Sequence, residues 1–400
     1  MVTDSETNRI FFSSLIRAER HNKLWNNLET ILVSHGYKPR FIHGTRDIWC
    51  RDYMPVQIDE SSFVKFKYFP DYLIYHKYIK FLTIQEELHY KQSKLAQTKE
   101  VDLIVDGGNI VKWKDKAIMT EKVFTENKNR EKKTVVEMLK RSLNVNQIFF
   151  IPVQPYDYTG HADGMVRFYD YNTLLINDYS KESASWRKKF DIVIKQTGLD
   201  VVKFPYVTCN EKVNDDYTAK GCYINYAHIG NLILFPQFGI NEDGIALKKM
   251  RELYPEPQYK VEPVNSDSIA REGGVLNCIT WNTYEPIISN AIDNILPIYG
   301  DKDRMFVIYS GDNDKNLIDT VCVSVSLSGQ EIGDPWSLAK HLKYSHSIEP
   351  IVSEADTRKA KKLLKENLTD EQLSDILNSL LHPGEEVIQE LVKKPPRFTK

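Results

Sequence analysis

The 400-residue chain predicts an α/β fold built from one structural unit used five times, followed by a C-terminal extension. Two observations predict it. An amphipathic helix, a short apolar strand, a turn marked by Gly or Asp and a hairpin of two β-rich strands follow one another repeatedly. Chemically distinctive turn residues also recur at nearly constant spacing: Asp52, Asp106, His161, Cys222 and Cys278 are separated by 54, 55, 61 and 56 residues, steps in the range of repeat architectures.

The first unit reads ERHNKLWNNLETILVSHG as helix, YKPRFIH as strand, TRDIWCRDYMP as turn, then the strands PVQID and SSFVKFKYF. The second shows its hairpin in DGGNIVKWKDKAIMTEKV, with Lys114 to Lys116 at the tip. The third runs REKKTVVEMLKRSL, QIFFIPV, DYTGHADG and MVRFYDYNTLLIND, turning at Asp170, Tyr171 and Asn172. The fourth is SWRKKFDIVIKQTG, LDVVKFPYV and CYINYAHIGNLILFPQFG, with its tip near Gly230 and Asn231. The fifth supplies GIALKKMRELYP, YKVEPVNS and REGGVLNCIT.

Composition narrows the function. Hydrophobic residues at 42% suffice for a large core. A formal net charge of -2 leaves no basic field for phosphate backbones, so nucleic acid is not the expected partner. No run of about 18 apolar residues predicts a membrane span, and the N-terminus fits neither a signal nor a transit peptide. The five cysteines, Cys50, Cys209, Cys222, Cys278 and Cys322, lack CxxC spacing. They fit neither a disulfide framework nor a zinc site, and a cytoplasmic location is the expectation.

Equivalent turns thus carry two carboxylates, a histidine and a cysteine. Arranged around an axis, they converge on one centre. A planar cationic guanidinium is matched by carboxylates that accept paired hydrogen bonds, for which Asp52, Asp106 and Asp163 are candidates. Cys278 is the candidate nucleophile and His161 its acid and base. His161 and Asp163, two apart in GHADG, share one face of an extended segment. The sequence has no HxH or HExxH pair, so neither a metal nor another cofactor is expected. Trp49 and Trp281 are aromatic candidates to stack on the ligand's aliphatic stem.

WCRDYMP, DGGNIV, GHADGMVRF, CYINYAHIGNLILFPQFG and GGVLNCIT resemble, in order, the signature segments of the agmatine deiminase and bacterial peptidylarginine deiminase family, over about residues 10 to 295. The resemblance implies a pentein fold, a five-bladed α/β propeller of ββαβ units with its active site on the axis. It implies Cys278 as nucleophile, His161 as general acid and base, and Asp52 and Asp163 as guanidinium-binding carboxylates. Asp106 stands where the family commonly has Glu, and Asp47 resembles a second acidic position ahead of the RD pair. With Trp49, Asn225 and Asn277 these complete the expected binding set, while Arg51 orients its loop and Cys50 and Cys222 pack. Asn277 replaces the usual His before the cysteine, and Met54 a usual Gly, departures at the pocket entrance that leave the chemistry in place and the substrate open between agmatine and a related guanidine.

The expected substrate is a small guanidino compound, agmatine or a related arginine derivative. The fold also hosts peptidylarginine deiminases and amidinotransferases. A different class of reading is a non-catalytic guanidine sensor signalling through C-terminal helices. The expected division is a catalytic domain over 1–300 and an extension over 301–400. In the extension MFVIYSG and DTVCVSVSLSG read as strands and DPWSLAKHLKY as a helix. Further helices run from Ser353, including TDEQLSDILNSLL. Their apolar stripes either close on their own domain or meet a second copy or a partner protein.

Overall fold

Among the described residues, the strands between Arg9 and Thr283 pair into five three-stranded sheets of one plan, each with an antiparallel pair and a third strand added in parallel after a crossover, and one two-stranded antiparallel ribbon of Lys212–Val213 with Asp216–Tyr217. This computed structural model describes residues 1–74, 78–90, 97–207, 212–213 and 216–285, and the backbone of strands 295–300, 304–310, 320–326 and 336–337. The second sheet joins Val56–Gln57, Ser62–Lys67 and Gln97–Ile104; the third joins Val111–Trp113, Lys116–Thr120 and Gln147–Ile151. The fourth joins Val166–Phe168, Thr173–Asn177 and Asp200–Phe204, and the fifth Ala227–Ile229, Leu232–Gln237 and Lys260–Asn265. In the first sheet Arg9–Ser13 pairs in parallel with Pro39–Ile42 and antiparallel with Trp281–Thr283, so the end of the repeat series closes onto its beginning.

Four of the crossovers are the helices read from the sequence: Asn22–Ser34, Lys132–Leu143, Ala184–Thr197 and Glu242–Leu253. The spacing explains their packing. Leu24, Leu28 and Leu32 recur every four residues and are buried with Trp25, as are Val135, Leu139 and Leu143 in the second helix. Burying each such side chain contributes roughly 1.5–3 kcal/mol. Ser183 caps Ala184–Thr197 by accepting from the Trp186 N–H, and Gly198 ends it in the left-handed conformation at φ 67°.

The crossover of the second sheet differs. Between Lys67 and Gln97 the described residues form short turns, Asp71–Ile74, Ile79–Phe81 and Gln85–Glu87, in place of a long helix. This stretch is rich in aromatic rings and lacks a helical apolar period, so it packs as a wall rather than as a cylinder.

The chain divides into two compact units, one of residues 1–90 and 96–285, the other of 91–95 and 286–400. The division falls after Glu285 rather than near 300, because Ile295–Gly300 pairs antiparallel with Arg304–Ser310. The described part of the second unit is a four-stranded antiparallel sheet that continues through Thr320–Ser326 to Trp336–Ser337. Trp336 and Ser337 pair with Cys322 and Val321 where the sequence suggests a helix starting after Asp334. The remainder of that stretch and the helices expected after Ser353 lie outside the described residues.

Candidate active site

Every residue singled out for chemistry lies between the parallel strand of one unit and the hairpin of the next. Asp52 sits on the turn Cys50–Tyr53, Asp106 follows Gln97–Ile104 after Val105, and His161 opens the turn Ala162–Gly164. Asn225 precedes Ala227–Ile229, and Cys278 precedes Trp281–Thr283. The turns bind one another through the backbone: the Arg51 N–H donates to the Cys278 carbonyl at 3.1 Å, and the Asn277 N–H to the Asn225 carbonyl at 3.1 Å.

Close approach requires the glycines of DGGN. A Cβ on Gly107 would sit 2.0 Å from the Arg51 carbonyl oxygen. One on Gly108 would sit 2.7 Å from both Asp52 Oδ1 and His161 Nδ1. Gly108 instead donates its N–H to Asp52 Oδ1 at 2.9 Å. Gly274 leaves room for the Trp49 ring, whose nearest carbon would lie 2.4 Å from an added Cβ.

These turns enclose a cavity of about 470 Å³. Cys278, His161, Asp163, Asp52, Asp47, Trp49 and Asn225 line it. The Cys278 thiol is partly exposed to it, lies 3.3 Å from Asn225 Oδ1 and 4.0 Å from Asp163 Oδ2, and is raised well above its ordinary pKa by burial and by Asp163 and Asp52. His161 has Asp106 Oδ2 2.9 Å from Nε2 and Asp52 Oδ1 3.6 Å from Nδ1. Burial opposes its charge, yet the two carboxylates win and raise it to about 9.

The carboxylates differ by environment. Burial pushes Asp47 up to about 8, with Asp52 adding to the effect and the Trp49 N–H opposing it. Burial, opposed by His161 and assisted by Asp106 and Asp163, takes Asp52 up to about 7. Asp163 is raised by burial despite His161 and the 2.6 Å hydrogen bond from Asn277 Nδ2. Asp106 is buried as well, but Lys122 and His161 overcome that and hold it below its ordinary value. A guanidinium entering the cavity therefore meets acids whose burial it relieves by supplying the missing charge.

Two expected binding residues do not reach the cavity. Asp106 is 1% exposed and stands behind His161, where its carboxylate is taken up by His161 and Lys122. Asn277 lies behind Asp163: its Oδ1 accepts from Arg51 at 3.2 Å and from Arg167 at 3.3 Å, while its Nδ2 holds Asp163. Both are supports rather than walls. Trp281 is not a wall either; it packs 4.8 Å from the Phe11 ring and donates to the Pro55 carbonyl. Cys50 is buried, and Arg51 reaches Asn277 from its own loop. Cys222 packs against the core and also lines the cavity. Among the described residues, no group of three or more His, Cys, Asp or Glu side chains is arranged to hold a metal ion, and no helix is long and apolar enough to cross a membrane.

Sequence reasoning missed the aromatic wall. Tyr68, Tyr72, Tyr78 and Phe81 from the helix-poor crossover, with Tyr156 and Tyr158 from the loop before His161, line the cavity. Tyr72 meets Tyr158 edge-on at 5.7 Å and His161 at 6.1 Å. The available signal was aromatic density in stretches without helical or strand period. Lys122 was also missed, since nothing local distinguishes it from a surface lysine.

The chain is similar to known proteins in sequence and in fold. A "Putative agmatine deiminase" of Mycoplasma mycoides subsp. mycoides is 26% identical over 209 residues, 45% of this chain and 57% of that protein's length. One from Streptococcus mutans is 24% identical over 212 residues, again spanning 57% of its length. The chain thus matches little more than half the length of these relatives. The solved agmatine deiminase of C. jejuni superposes with a TM-score of 0.56 at 18% identity, covering 71% of this chain and 95% of that one. That of Enterococcus faecalis gives 0.55 at 14%, covering 70% and 94%. Likeness at such identity shows a shared fold, of the pentein type expected from the sequence. The model of the Porphyromonas-type peptidyl-arginine deiminase family matches residues 9–283, and the chain belongs to that family.

Proposed function

We propose that the protein is a deiminase that hydrolyses a guanidino compound, agmatine or a related arginine derivative, to the ureido product and ammonia. The observation that carries this reading is the convergence of a thiol, an imidazole and ionisable carboxylates on one cavity: Cys278, His161, Asp52 and Asp163. Family membership and the names of the relatives support it. We read the five sheets as the blades of a propeller with this cavity on the axis.

In the free protein the thiol is held neutral and the imidazole charged. A guanidinium gripped by Asp163 and Asp52 offsets the two charges that hold the proton on Cys278, and so favours the thiolate. The thiol proton passes to solvent, and the sulfur attacks the central carbon as the C=N π pair moves onto nitrogen. As the tetrahedral adduct collapses, a C–N bond breaks and the leaving nitrogen takes a proton from His161, releasing ammonia. The substituted amidino group stays on sulfur. Water gives a proton to His161 and its oxygen attacks the same carbon; the C–S bond breaks, and the ureido product leaves with the thiol restored.

Ammonia release from agmatine, arginine and a peptide ending in arginine tests the reading, with Cys278→Ala as control and intact-mass detection of a quenched adduct that keeps the substrate's alkyl chain. Turnover by Cys278→Ala, or guanidine binding without ammonia from any of the three, would sink it.

A further inference from the structure

Lys122 is 6% exposed and opens the short helix Lys122–Glu126 behind His161. Its ammonium lies 3.1 Å from Asp106 Oδ2, 3.3 Å from Glu126 Oε1 and 3.5 Å from Asp71 Oδ1, and 4.5 Å from the centre of the Tyr72 ring. Asp106 Oδ2 is the same atom that bonds His161 Nε2. One carboxylate oxygen therefore serves two cationic groups, an ammonium and the imidazole. Buried ion pairs add little stability over apolar side chains of similar size, so packing alone does not account for this cluster.

We propose that Lys122 is a positioning residue for proton transfer by His161. By sharing Asp106 Oδ2 it fixes the ring and weakens one of the two carboxylates that hold the imidazolium, leaving His161 able to release its proton. The assignment rests on the proton-transfer role given to His161 above.

The groups facing His161 fit this balance. Asp52 approaches Nδ1 and Asp106 approaches Nε2, while Asp163 stands two residues along the chain and the Tyr72 ring closes one side. Lys122 is the positive charge acting against the two carboxylates. Glu126 does not cancel it near neutrality, because burial and Asp106 push that carboxyl up to about 8. Asp71 is 43% exposed and its charge is screened by solvent. Asp71 also ties Lys122 to the turn that carries Tyr72, joining the aromatic wall to the histidine.

The test follows the His161 ring by NMR titration in histidine-labelled protein, with His161→Asn assigning the signal. This readout needs no turnover, so it separates failure of this assignment from failure of the deiminase reading. Lys122→Met should raise the His161 titration by about one unit, and Lys122→Arg should restore it. The alkaline limb of ammonia release should move the same way. An unchanged titration in a folded Lys122→Met protein overturns the proposal. Lys122→Gln, which keeps a polar head group, serves where the Met variant does not fold; it should shift the titration in the same direction, and a titration equal to the parent's is equally fatal.

Discussion

Asn277 Nδ2 donates to Asp163 Oδ2 at 2.6 Å, so the residue preceding Cys278 fixes the carboxylate that faces its sulfur. The same side chain accepts from Arg51 and Arg167, and Arg167 in turn pairs with Asp4 at 2.6 Å. An amide suits this place because it is a donor toward the acid and an acceptor toward the two guanidinium groups at once.

Asn277→Ala should lower kcat/KM by about 10- to 100-fold, mainly through KM, since it frees Asp163 from its donor and leaves buried groups unpaired. Asn277→Asp should do worse at neutral pH, by setting a second anion against Asp163. Steady-state ammonia release with agmatine checks both; an unchanged KM in the Ala variant would show that Asp163 is held by other means.

The thiol should be sluggish until a cation arrives. Burial, Asp163 and Asp52 all raise Cys278, so alkylation by iodoacetamide at pH 7 should be slow and should quicken as pH rises. Asp163→Asn removes one of the raising charges and should speed alkylation by roughly tenfold at fixed pH. Equal rates in parent and variant would argue that desolvation alone sets the thiol.

The repeat was legible because its units announce themselves locally, through hairpin tips, turn residues that also do chemistry and, in four crossovers, a helical apolar period. Lys114, Gly230 and the Asp170–Asn172 turn fall at the tips where the sequence places them. Cys278, His161, Asp52 and Asp163 were legible for the same reason, since all stand in such turns. What was not legible depends on contacts between units. Whether Asp106 faces the ligand or the back of His161 is settled by Lys122, 16 residues on, and by Gly108 letting Asp52 approach. Asn277 reads as a wall residue from its place beside the nucleophile; Arg51 and Arg167, which draw it inward, come from other units. The crossover between Lys67 and Gln97, whose described residues form no long helix, could not be seen either, because it is ordered against the cavity rather than along its own period.

Gly108→Ala isolates the close approach of the loops. The new Cβ meets Asp52 Oδ1 and His161 Nδ1 at 2.7 Å, so the pair must separate. Because near-attack geometry is lost with shifts of about an ångström, activity should fall at least 100-fold, whereas overpacking should cost stability only about 1–3 kcal/mol. Denaturant melts and ammonia assays on one preparation distinguish the two; a fully active variant would mean the loops have slack.

Stability should decline from mildly acidic to alkaline pH, and Asp47 should be a principal cause. Its carboxyl is raised to about 8 in the folded protein and titrates near 3.9 when unfolded. Between those values the folded state holds a proton that the unfolded state has released, so raising the pH favours unfolding. His161, raised to about 9, acts in the same sense: its contribution is complete below the unfolded value near 6.5 and is lost as pH rises through 9. Asp4 acts oppositely. Burial would raise it, but Arg167 and its neighbours hold it at about 2, so its contribution is present above about 4 and is lost as pH falls through 2. The melting temperature should therefore peak at about pH 4, where Asp4 is fully ionised and Asp47 has only begun to be penalised. Asp47→Asn keeps an acceptor for the Trp49 N–H and removes the ionisation, so relative to the parent it should gain up to about 5 kcal/mol of stability by pH 8.5 and be nearly equal to it at about pH 4. A parallel pH dependence in parent and variant would show that Asp47 is ionised in the folded protein, and would return it to the set of charged groups waiting for the guanidinium.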